Sequence, residues 1–156
     1  MLVDANISQQ SAEIYASCSG GNASFAEKIA CDNSFIEFYN LIVSTLLNLD
    51  GSKDVLKFSN ELNSAKVNKN EFFDIATMLL RDVLIVHSNK ENLVVNLNII
   101  QALRGIAKKL NVESILQLIE MCIHCKEMLL FNVNNTAVVD EFLYKLAEVK
   151  VKCRRL

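Results

Sequence analysis

Proline and tryptophan are absent from the 156 residues, glycine occurs four times and histidine twice. The missing prolines exclude rigid linkers, and so few glycines leave too little turn chemistry for a sandwich or barrel. No apolar run approaches the ~18 residues that would span a bilayer. The opening stretch Met1-Leu2-Val3-Asp4-Ala5-Asn6 lacks the charged start and long apolar core of a signal peptide, so a soluble chain with no membrane contact is expected. Neither sign of charge dominates: a net charge of −2 and a pI near 5.7 give no chain-wide attraction for nucleic acid. Five cysteines, an odd number without framework spacing, argue against a secreted disulfide scaffold and for a reducing cytoplasm. A G-x-x-x-x-G-K-[ST] phosphate loop is missing, as is any Asp-rich strand for Mg²⁺.

What remains is apolar and helical. Hydrophobic residues make up 51% and charged residues 22%, a composition that folds, and a chain of this length can bury roughly 70% of its unfolded surface around one core. The spacing predicts an all-α bundle. Ser8 to Cys18 forms a short helix with Ile14 and Tyr15 apolar, stopped at Gly20-Gly21, and Asn22 or Ser24 caps a second one carrying Phe25, Ala26, Ile29 and Ala30. Asp32 or Asn33 starts a longer helix through Phe35, Phe38, Tyr39, Ile42, Leu46 and Leu49, ended by Gly51. Val55 to Leu62 forms another, and Asn68 caps the next, whose stripe of Phe72, Ile75, Ala76, Leu79, Leu80, Val83 and Val86 is too wide for a helix covered on one side only. After His87-Ser88-Asn89-Lys90, a helix is expected through Leu97, Ile100, Leu103, Ile106 and Leu110. Two more follow: Ile115 to Leu129, broken at Asn132-Val133-Asn134-Asn135, and Val138 to Val149. The glycine pair and the change in helix length divide the chain into 1–31, a small helical unit, and 32–156, the main helical domain.

Residues with possible chemistry are few. Cys122 and Cys125 share one helix face, but His124 projects elsewhere and four ligands are needed for a closed zinc site, so core cysteines are expected. No metal or other cofactor is implied. A Cys-His nucleophile lacks an accompanying glycine-lined oxyanion turn, and Asp140-Glu141 diverge on adjacent helix positions, so no catalytic residue is nominated. Arg81 and Asp82 interrupt an apolar helix, either at a surface edge or as a buried polar contact between helices or subunits. Lys145, Lys150, Lys152, Arg154 and Arg155 form the one basic concentration, expected as a solvated tail that complements the helix dipole.

The order of three motifs is more specific. Phe73-Asp74-Ile75-Ala76-Thr77-Met78-Leu79-Leu80-Arg81-Asp82-Val83-Leu84, then Phe131-Asn132-Val133-Asn134, then Phe142-Leu143-Tyr144-Lys145-Leu146, resembles the collar domain of bacterial clamp loaders, most nearly the DNA polymerase III delta prime subunit. Ile7 to Ala30, with Ser19-Gly20-Gly21-Asn22, resembles the end of the lid subdomain that precedes the collar. Residues 1–31 are thus expected to be the lid end and 32–156 the collar. In the ATP-hydrolysing gamma-type subunits a sensor arginine follows the lid glycine, whereas the matching position here is Ser24, which cannot supply that planar charge.

The resemblance implies a non-catalytic scaffold segment of a longer subunit. Its nucleotide-binding domain and arginine finger would lie outside this chain. The partners would be the other clamp-loader subunits, gamma/tau and delta, with sliding clamp and primed DNA reached only through the complete complex. Gly20, Gly21, Asn22, Arg81, Asp82, Asn132 and Asn134 are the candidate structural and interface residues. An apolar strip on the long helices should stay exposed where a neighbour would cover it. The gamma/tau or delta collar and a free-standing helical adaptor are the alternatives.

Overall fold

Serine or asparagine stands at the N-cap of most of the helices, and lysine rather than glycine closes two of them. In the computed structural model, which describes residues 8–19, 26, 30–32, 34–65, 68–131 and 134–155, the first helix α1 spans Gln9–Cys18 with Ser8 as its N-cap. It is followed by α2 (Phe35–Asn48), α3 (Ser52–Ser64), α4 (Lys69–His87), α5 (Ile100–Ala107), α6 (Val112–Leu130) and α7 (Asn135–Arg154), with two 3₁₀ turns at Glu91–Leu93 and Leu97–Ile99. All described elements are helical. Asn68, Asn111 and Asn134 each turn a side-chain oxygen onto a free amide of the first turn, that of Asn70 at 2.9 Å, Ser114 at 2.8 Å and Thr136 at 2.9 Å, the role that short polar side chains play at N-caps.

The opposite ends leave carbonyls without partners. Lys69 Nζ donates to Leu62 O of α3 at 2.5 Å. Lys109 Nζ donates to Leu47 O at 2.7 Å, and Lys150 Nζ to Leu46 O at 2.5 Å and Leu49 O at 2.8 Å, so two lysines close α2. Helix α4 stops differently: Asn89 takes φ 55°, with Asn89 N bonded to Val86 O and Lys90 N to Ile85 O, a Schellman stop in which asparagine stands in for glycine.

Five helices close a ring in the order α2, α4, α6, α7, α3 and back to α2, with α5 laid against α4 and α2. Phe72 and Phe73 of α4 meet Phe142 of α7 edge to face at 5.6 and 5.8 Å between centroids, and Phe38 of α2 lies 6.4 Å from Phe72. This aromatic cluster is the centre of the core. Helix α4 buries Phe72, Phe73, Ile75, Ala76, Leu79, Leu80, Asp82 and Val83, and its wide stripe is used against α2, α5 and α6 together. Ile14 and Tyr15 of α1 join the same core.

Several expectations change in detail. Gly51 is the N-cap of α3 with extended backbone, φ −173°, while α2 has already ended at Asn48. Helix α2 is capped at Ser34, whose amide is held by Asp32 Oδ1 at 2.9 Å. The helix expected through Leu97 to Leu110 is only Ile100–Ala107, preceded by a segment whose Val95 and Asn96 amides are held by Asp82 of α4. The expected second short helix lies, apart from Ala26 and Ala30, outside the described residues.

Candidate subunit interface

Helix α6 is apolar on two faces. One carries Ile115, Leu118, Cys122 and Cys125 into the core. Burial pushes both thiols up to about 12, so they are inert packing groups, while His124 is exposed. Among the described residues no group of three or more His, Cys, Asp or Glu is placed to hold a metal ion. The other face carries Val112, Leu116, Ile123 and Leu130, exposed by 45, 46, 52 and 76%, with Phe131 beyond the helix end at 82%. At 100° per residue these four helical positions, with the half-buried Ile119, fall within about 40° of one line and run about 27 Å along the helix. Nothing in the chain's described residues covers this strip. Its polar interruption is Lys126, ion-paired with Asp74 of α4.

The two residues of the Arg81-Asp82 pair separate completely. Asp82 has no exposed surface, and its carboxylate accepts from Asn96 N at 2.9 Å, Asn96 Nδ2 at 2.7 Å and Val95 N at 3.3 Å. Asn96 Oδ1 in turn accepts from Tyr39 OH at 2.9 Å, whose phenol burial holds above its ordinary pKa. The chain Tyr39–Asn96–Asp82 fixes Val95 and Asn96 onto α2 and α4, and it is the buried-contact alternative for Asp82. Arg81 is exposed and lines, with Cys18, Phe35, Ile75, Met78 and Val95, a cavity of about 420 Å³ between α1 and α4, so for it the surface alternative applies.

The C-terminal basic run is corrected. Lys150 is not solvated but fully buried. Burial, and then the nearby charge of Lys109, bring its ammonium down to about 8. Arg154 sits 2.8 Å from Asp50 Oδ1, and Lys109 lies 3.2 Å from the same carboxylate. Partial burial acts to raise Asp50, but the hydrogen bond and charge of Lys109, then Lys150 and Arg154, outweigh it and hold the carboxyl below its usual range. These cations lock α5 and α7 to the end of α2. Lys145 and Lys152 instead pair with Glu148 on the outside of α7.

Asn134 is the N-cap of α7. Gly20, Gly21, Asn22, Ser24 and Asn132 lie outside the described residues. Sequence reasoning missed Tyr39 and Asn96, for which no local pattern exists. It also passed over Val112, Leu116, Ile123 and Leu130, whose own helical spacing was a signal.

Among the described residues no helix is long and apolar enough to cross a membrane. No curated protein and no solved structure matches the chain. A family model described as DNA polymerase III, delta subunit, C terminal, matches residues 35–148, from the first residue of α2 into α7. With most of its length so matched, the chain belongs to this DNA polymerase III clamp-loader family.

Proposed function

We propose that the chain is a non-catalytic collar segment that holds a clamp loader together during DNA replication, and that it belongs to a subunit of the delta prime type. The observation that carries the scaffold role is the uncovered strip Val112, Leu116, Ile123 and Leu130 on α6, an apolar row of the kind that a neighbouring subunit buries. It lies within the matched residues 35–148. The delta prime assignment is supported by the order of the Arg81-Asp82, Asn132-Val133-Asn134 and Phe142 to Leu146 motifs and by Ser24 at the sensor position. A delta subunit collar is the second reading, favoured by the description that the family model carries. In this proposal residues 1–31 are the end of the lid and 32–156 the collar. The partners are gamma/tau and delta collars, the sliding clamp and primed DNA are reached only through the assembled loader, and the setting is the bacterial cytoplasm.

The test is assembly. The chain is mixed with purified gamma-type and delta-type subunits, and complexes are separated by size exclusion. Co-elution is expected, and Leu116→Asp with Ile123→Asp should abolish it while leaving the circular dichroism spectrum of the free chain intact. A folded chain that joins neither subunit type overturns the scaffold role. Competition against authentic collars assigns the subunit: displacement of delta prime supports the finer proposal, and displacement of delta refutes it.

A further inference from the structure

The exposed row of α6 has the arrangement of a coiled-coil seam. Val112, Leu116, Ile119, Ile123, Lys126 and Leu130 alternate spacings of four and three residues, the d and a positions of successive heptads, and Lys126 is the one polar member. The position following each d residue is glutamate every time: Glu113, Glu120 and Glu127 are seven residues apart and all exposed. None of the three is ion-paired among the described residues. On the other flank, Ile115 and Cys122 are buried and Leu129 is half-buried, so the chain's own bundle occupies that side. The seam therefore has one open rim, and that rim is acidic.

In heptad pairing the rim charges choose the partner. A second copy fits poorly. Antiparallel pairing would set the glutamates against each other, and parallel pairing would set them against Ile115, Cys122 and Leu129, which are turned into the fold. We infer that the outer face of α6 pairs with a helix of another protein whose apolar seam is flanked by lysine or arginine at seven-residue spacing. Where that helix belongs to a neighbouring clamp-loader subunit, the inference rests on the collar reading; the partner's chemistry does not.

The test uses the full chain and two labelled helical peptides with leucine at a and d, one carrying lysine and the other glutamate at e and g. Fluorescence anisotropy at low salt should show the lysine peptide binding at least about ten-fold more tightly than the glutamate peptide. Replacing Glu113, Glu120 and Glu127 by lysine should reverse the order, whereas lysine at the exposed Glu37, Glu61 and Glu141 should leave it unchanged. Equal binding of both peptides, no binding of the lysine peptide, or a self-association lost in Ile123→Asp overturns the inference. Assembly with purified clamp-loader subunits separates the two proposals. If wild type and the three-glutamate variant assemble equally well, the scaffold role stands and the acidic rim is irrelevant. If neither assembles but the lysine peptide still binds, the rim's specificity stands without the clamp loader.

Discussion

Replacing Lys150 with methionine should make the difference in stability between variant and wild type depend on pH in one direction. The ammonium is fully buried, bonded to Leu46 O and Leu49 O, and burial lowers it from 10.5 to about 8. At about 1.4 kcal/mol per pH unit this drop amounts to about 3 kcal/mol held against the charged form in the fold. Below pH 8 the lysine is charged both folded and unfolded, and the fold carries the whole penalty. Between about pH 8 and 10.5 the unfolded chain binds the proton and the folded chain does not, so stability rises with pH. Above that window the neutral amine still donates to the α2 carbonyls without a penalty for charge. Methionine fills the same space but leaves those carbonyls unpartnered at every pH, at about 1–3 kcal/mol each. Urea unfolding of wild type and Lys150→Met at pH 7 and pH 10 cancels, in the difference, the titration of groups that do not interact with Lys150. The advantage of wild type should grow by about 2.5 kcal/mol between the two, the rest of the change coming only above pH 10. A gap that stays constant, or shrinks as pH rises, would refute the buried-charge account.

Asp82→Ala strands Asn96 N and Asn96 Nδ2 in a dry site and should lower stability by about 3–5 kcal/mol, with amide exchange quickening first in residues 88–99. A loss under about 1 kcal/mol would mean that water replaces the carboxylate. Phe142→Ala removes the ring that Phe72 and Phe73 meet edge to face and should cost about 3–5 kcal/mol, read as a fall in the urea midpoint. Asn134→Ala should cost about 1 kcal/mol and Asn134→Ser far less, since serine can still accept from the amide of Thr136. In a thiol-titration time course the exposed Cys31 should react at once, while Cys122 and Cys125, buried and raised to about 12, should wait for unfolding; fast reaction of more than three thiols in the native chain would contradict their packing.

The described helices were legible as elements because their hydrophobic spacing is local, and Asn68 was read as the start of α4. Asn111 and Asn134 start α6 and α7 in the same way, each within two or three residues of the amide it satisfies, but were not singled out as caps. Helix ends were less legible, since the groups that close them come from far along the chain: Lys150 reaches Leu46 over 104 residues and Lys109 reaches Leu47 over 62. A lysine near the C-terminus of its own helix gives no sign that it caps another, and this is why the basic run read as a solvated tail. The same distance hides the Tyr39–Asn96–Asp82 chain. Asp82 was marked as anomalous in an apolar helix, but its partners are amides of a loop.

Helices α4 and α6 pose one question and answer it differently. Both are apolar around much of their circumference, and periodicity alone assigns such a helix to the interior. Helix α4 is interior: α2, α5 and α6 lie around it, and its one buried charge is met by the loop that packs there. Helix α6 packs mainly against α4 and α7, and among the described residues its second stripe stays exposed. The rim separates the cases in the sequence itself. Around α4 charges of one sign follow no seven-residue repeat, Asp74 going to Lys126 and Arg81 to a cavity edge, whereas along α6 glutamate recurs at 113, 120 and 127 in step with the exposed apolar positions. A charge repeating in register with a seam is not needed to solvate a surface helix, where any polar residue would serve. It is the pattern expected where a second helix must be accepted in one register and others refused, and it places the unfinished side of this fold on α6.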